Sequence, residues 1–133
     1  MNVYVFGNED IKEDNFAFKV MNKLKSKIDN IKFIIVNLNE DLPFVNEKSI
    51  VILDTILGIN EINIFDEKVL DKIFLSPRTS VHDFDLGFQL KYLKKLGKLN
   101  KITIVGLPQN KRLNYNLIQS IFKKLVAQDI QGS

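Results

Sequence analysis

Apolar and polar positions alternate along this chain in blocks that predict strands and helices in turn. Val3-Tyr4-Val5-Phe6 is a short apolar run stopped by Gly7-Asn8, which reads as a strand over Val3–Phe6 ending in turn residues. Phe16, Val20, Met21, Leu24 and Ile28 follow at helical spacing, with Asp14 or Asn15 as the N-cap and an end near Asp29-Asn30. Phe33-Ile34-Ile35-Val36 and Ile50-Val51-Ile52-Leu53 are continuous and mostly β-branched, as strands buried on both faces of a parallel sheet are. The second of these, read as Ser49–Leu53, ends on Asp54. Asn37–Lys48, with Pro43, shows no helical period.

A weaker strand is predicted over Glu61–Phe65. Its link to the third strand is too short for a crossover helix, so the two are expected to form an antiparallel hairpin. Val69, Leu70 and Ile73 fit one or two helical turns. After a loop through Ser76-Pro77-Arg78, Ser80 caps an amphipathic helix with Phe84, Leu86, Leu90, Leu93 and Leu96 inward, Lys91, Lys94, Lys95 and Lys98 outward, and Gly97 closing it. Ile102-Thr103-Ile104-Val105 is the core of a fifth strand over Lys101–Leu107, stopped by Gly106-Leu107-Pro108. A last helix starts at Asn114, with Leu117 or Ile118, Ile121, Phe122 and Leu125 inward, and Gln128–Ser133 is expected to fray.

Strands alternating with helices imply a single α/β domain over 1–133, long enough to bury roughly two-thirds of its unfolded surface. Ligands in such folds bind outside the carboxyl ends of the strands. Three places therefore stand out: Gly7–Asp14, Asp54 and Gly106–Arg112.

Composition narrows the chemistry. With no cysteine, disulfides, thiolate metal sites and cysteine nucleophiles are excluded, and a reducing cytoplasm fits. No apolar run reaches the ~20 residues that span a bilayer, and no basic leader precedes the first strand, so neither a membrane partner nor a signal peptide is expected. The net charge of +3 comes from lysines spread over every helix, which reads as a solvated surface rather than a nucleic-acid footprint. A small-molecule or nucleic-acid module built on the Lys91–Lys98 face is the rival reading. Phosphate-cradling glycine motifs are missing.

Three acidic or imidazole positions carry the remaining chemistry. Asp54 follows four apolar residues, so its carboxylate needs a metal, a partner or backbone N–H bonds; a capped Asp54-Thr55 turn fits equally. Asp14, with Glu9, Asp10 and Glu13, sits where acidic residues also favour a helix start. His82, the only histidine, lies in a first helical turn, where the helix end favours neutral imidazole and Asp83 and Asp85 oppose it. Ligand, base and cap all fit His82. A Ser80/His82/Asp83 triad is disfavoured, because neighbours at a helix start do not align as nucleophile, base and orienter. Together, Asp14, Asp54 and His82 form an oxygen–nitrogen donor set suited to nickel, zinc, iron or manganese.

In order and spacing these stretches resemble the hydrogenase maturation proteases, which remove a C-terminal extension from the large subunit of nickel–iron hydrogenase after nickel insertion. The match runs through Gly7-Asn8 with an acidic pair Glu13-Asp14 six residues on, Ile50–Asp54, Ser80-Val81-His82, and Ile102–Val105 with Gly106-Leu107-Pro108. The resemblance implies a three-layer α/β/α sandwich, phosphorylase/hydrolase-like, with a five-stranded, mostly parallel mixed sheet and one antiparallel strand. It also puts the first and third strands side by side. It makes Asp14, Asp54 and His82 the catalytic and metal-binding residues, with nickel brought by the precursor rather than held tightly by the isolated protein. The implied partner is the hydrogenase large-subunit precursor, with no nucleic acid and no membrane, and the protein acting as a monomer or weak homodimer. Asn15 and Ala17 stand where the family has glycines, and the helix between strands two and three is reduced to Asn37–Lys48. Those departures motivate a second reading, a non-catalytic nickel-sensing chaperone on the same fold.

Overall fold

Strand β3 (Ser49–Ile56) is buried from Ile50 to Thr55 without alternation, the mark of a strand covered on both sides. The computed structural model describes residues 1–6, 15–36, 47, 49–56, 59–69, 101–109 and 112–132. Around β3 lie β1 (Asn2–Val5), β2 (Lys32–Ile35), β4 (Asn63–Asp66) and β5 (Lys101–Pro108) in one five-stranded sheet of order β2-β1-β3-β5-β4. β2, β1, β3 and β5 are mutually parallel along that order, and β4 runs antiparallel to β5. The mostly parallel mixed sheet, and the pairing of the first strand with the third, are as expected.

The expected hairpin is not. β4 is antiparallel, but it pairs with β5 rather than with β3. The whole length of β3 is already matched on that side, from Ser49↔Lys101 to Ile56↔Pro108. A hairpin would require β4 to displace this parallel pairing. The six residues between Ile56 and Asn63 suffice to step across β5, a distance of about 10 Å at two strand spacings. The short link that argued for a hairpin thus serves a crossing.

Alternate residues face opposite sides of a sheet. Val3, Val5, Val51, Leu53, Val105 and Leu107 form one buried cluster with Ala17, Phe18, Val20 and Leu24 of helix α1 (Phe16–Leu24) and Ile118, Phe122 and Val126 of helix α2 (Tyr115–Gly132). Tyr4, Phe6, Ile50, Ile52, Ile102 and Ile104 form the second cluster, with Ile34, Ile56 and Phe65 against it. Both described helices therefore pack on the first face. The amphipathic helix expected between its Ser80 cap and Gly97, which would supply the third layer, lies outside the described residues, as do Leu70 and Ile73. Glu67–Val69 form a single 3-10 turn.

Several element ends differ from the expectation. β3 runs on through Thr55 and Ile56, and β5 through Pro108, because the two strands extend each other's ladder to those residues. α2 stays helical to Gly132, so the helix takes in Gln128–Gly132 of the expected fraying tail. Of the two alternatives for its inward face, Ile118 is buried and Leu117 is exposed. α1 ends at Leu24, and the chain turns through Asn30, whose φ of 68° is one that asparagine tolerates.

Candidate active site at the carboxyl end of β3

Asp54 is 2 % exposed and lies inside β3 rather than after it. Parity puts its side chain on the second face with Ile50 and Ile52, and Thr55 on the first. Buried carboxylates need hydrogen bonds, and Oδ1 of Asp54 accepts one from the backbone N–H of Thr55 at 2.8 Å. The capped Asp-Thr arrangement weighed from the sequence is therefore present, but within a buried central strand.

The strands on either side shape the surroundings. On one side, the N–H of Phe6 donates to Leu53 O at 3.0 Å, so the chain leaves β1 beside Asp54. On the other, Asp54 is paired in register with Gly106. A Cβ at Gly106 would lie 2.6 Å from Ile56 Cδ1 and 2.9 Å from Phe65 Cε2. A side chain at Gly106 would therefore have to push Ile56 and Phe65 aside. Asp54 is thus a buried, hydrogen-bonded carboxylate on the sheet face that carries Phe6, Ile52 and Ile104, and a carboxylate can act as proton acceptor or as a hard oxygen donor to a metal.

Two buried oxygens were not anticipated. Thr55 Oγ1 has no hydrogen-bond partner, and neither does Asn15 Oδ1 at the start of α1. Asn15 occupies the N-cap position, yet its side chain makes no capping bond. Ala17, the other departure from the family's glycines, is fully buried in the first cluster, so its methyl group is absorbed by the core.

Of the three residues singled out from the sequence, Asp54 is the one described. Asp14 and His82 lie outside the described residues, as do Gly7–Asp14 and Ser80–Gly87 as stretches. Among the described residues, no group of three metal-ligating side chains comes together.

Tyr4 shares the second face with Asp54, and its hydroxyl donates to Glu47 Oε1. Burial, then the hydrogen bond to Glu47 and the charge of that carboxylate, push its pKa up to about 12, against a smaller opposing effect of Asn2. A phenol with a raised pKa keeps its proton better in the folded state. Its contribution to stability is therefore complete below pH 10 and is lost as pH rises towards about 12. An ultraviolet titration of phenolate should show one late tyrosine that Glu47→Gln moves to lower pH. If Glu47→Gln leaves the titration unchanged, the Tyr4–Glu47 contact is not made in solution.

No protein-family model matches the chain, and no curated protein matches it. Solved structures do. Hydrogenase maturating endopeptidase HybD from E. coli superposes with a TM-score of 0.59 at 19 % identity, covering 81 % of this chain and 74 % of that one. A hydrogenase 3 maturation protease gives 0.56 at 19 % identity, over 81 % and 72 %. A hydrogenase 2 maturation peptidase from a Thaumarchaeota archaeon gives 0.52 at 18 %, over 98 % of both chains. At such identities the likeness is one of fold. The chain has the α/β fold of these endopeptidases, reached by a comparison independent of the motif order.

Proposed function

We propose that this chain is a cytoplasmic endopeptidase that removes the C-terminal extension of a nickel–iron hydrogenase large-subunit precursor. The observation that carries this reading is the buried, hydrogen-bonded Asp54 at the carboxyl end of a central parallel strand, in a fold shared with solved maturation endopeptidases. Parallel α/β sheets present their ligands at that edge.

In this reading Asp14, Asp54 and His82 engage the nickel that the precursor carries, so metal loading licenses cleavage. The nickel is part of the substrate. Asp54 is the general base: its carboxylate takes a proton from water as the water oxygen attacks the scissile carbonyl. The C–N bond then breaks, and the proton passes to the leaving amine. A hydrogen bond from Thr55 N–H holds the carboxylate's orientation during this step.

Burial of Ala17 in the core favours the enzyme over the nickel-sensing chaperone. The departure from glycine that motivated the chaperone fills core space rather than substrate space. The discriminating experiment incubates the protein with nickel-loaded and nickel-free precursor. Shortening of the loaded form alone, lost in His82→Ala, is expected. Equal cleavage of both forms, or full cleavage by His82→Ala, would overturn the reading. Persistent binding of loaded precursor without shortening would establish the chaperone instead.

A further inference from the structure

Between the end of α1 and the start of α2 is an open cavity of about 510 Å³, lined by Lys23, Lys27, Arg112, Leu113, Asn114, Tyr115 and Asn116. No carboxylate is among these described residues. Three exposed cations on two segments far apart in sequence line one cleft, which makes it a favourable place for an anion. Lys23 is held in the wall: its ammonium sits 4.3 Å from the centre of the Tyr115 ring. Asn114 Oδ1 already accepts the Leu117 N–H at 3.1 Å, so one first-turn donor is satisfied internally and the side-chain cations carry the site.

We propose that this cleft binds the carboxylates of an acidic peptide segment belonging to the protein substrate. The identity of the ligand rests on the peptidase reading; the anion preference rests on the cleft itself. An Arg fork suits a carboxylate in two-point contact, and the Leu113 and Tyr115 walls suit the apolar flank of a peptide better than a fully hydrated inorganic ion. The volume falls in the ordinary range for bound ligands, ~300–1,000 Å³. The cleft lies on the helix-covered face of the sheet and the Asp54 side chain on the other, so the substrate segment it takes is one remote from the scissile bond.

The test measures anisotropy of a labelled Asp/Glu-rich hexapeptide and of its Asn/Gln counterpart on the full chain at low salt. Tenfold or tighter binding of the acidic peptide is expected, lost at least tenfold in Lys23→Gln/Arg112→Gln and kept in Lys124→Gln, an exposed lysine outside the cleft. Unchanged thermal melting of the variants secures their folding. Equal binding of the two peptides overturns the proposal. So does equal loss in Lys124→Gln, which marks diffuse attraction to a basic surface, or displacement by inorganic phosphate where acetate at the same ionic strength has no effect. The two readings fail separately. If wild type shortens precursor and the Lys23/Arg112 variant does so at the same KM, the cleft proposal falls and the peptidase stands. If the acidic peptide binds as expected and no precursor is ever shortened, the reverse holds.

Discussion

Asp54→Asn is expected to slow precursor shortening by roughly 100- to 10,000-fold, the range for removing a general base, while leaving the fold intact. The asparagine side chain is the same size and keeps an oxygen to accept the Thr55 N–H, which now finds its acceptor at 2.8 Å. It cannot take a proton from water. Asp54→Ala is the contrasting variant. It leaves the buried Thr55 N–H unsatisfied, at a cost of about 1–3 kcal/mol, and should lower both activity and stability. The informative measurement is therefore the pair: cleavage rate and urea midpoint for Asn and for Ala. Asn with a wild-type midpoint and almost no cleavage assigns the carboxylate a chemical role. Asn with near wild-type cleavage would leave Asp54 as a structural cap and remove the base from the mechanism. The comparison matters because Asp54 is the residue of the three whose surroundings are described, and its burial gives it a structural job under either reading.

Local patterns showed what the strands are; only pairing showed where they sit. Ile50–Leu53 announced a strand buried on both faces, and it is the centre of the sheet. Ile62 and Ile64 announced a strand too, but its partner depended on whether β3 had a free side. That was decided by Lys101–Pro108, some forty residues further along. Asp54 was legible because a carboxylate after four apolar residues is conspicuous. Its depth was not, since the ladder carrying β3 on to Ile56 is made by β5. Thr55 and Asn15 carry no sequence signal of being unpartnered; burial decides that, and burial is a property of the assembled fold. The basic cleft was hidden for the same reason. Lys23 and Lys27 look like an ordinary solvated surface until the chain entering α2 brings Arg112 and Tyr115 beside them.

The same long-range assembly makes Phe122 a position where the fold is sensitive to truncation. α2 follows β5 in the chain, yet Phe122 meets Phe33 of β2, at the opposite side of the β2-β1-β3-β5 array. The rings are 6.0 Å apart at 75°, edge to face. Phe122 is fully buried, among the largest side chains in the first cluster to be so. Phe122→Ala is expected to cost about 3–5 kcal/mol through lost burial and the cavity left behind. Folded domains are stable by only about 5–15 kcal/mol, so the melting temperature should fall by roughly 10–20 °C. Phe33 is only half buried, and Phe33→Ala should cost distinctly less. The double variant should show a coupling of about 0.5–1.5 kcal/mol, the worth of the ring pair beyond its buried area. A Phe122→Ala cost below about 1 kcal/mol would mean that α2 does not close over the first face. The cleft between α1 and α2 would then lose its rigid wall as well, so this measurement bears on the anion site before any ligand is tried.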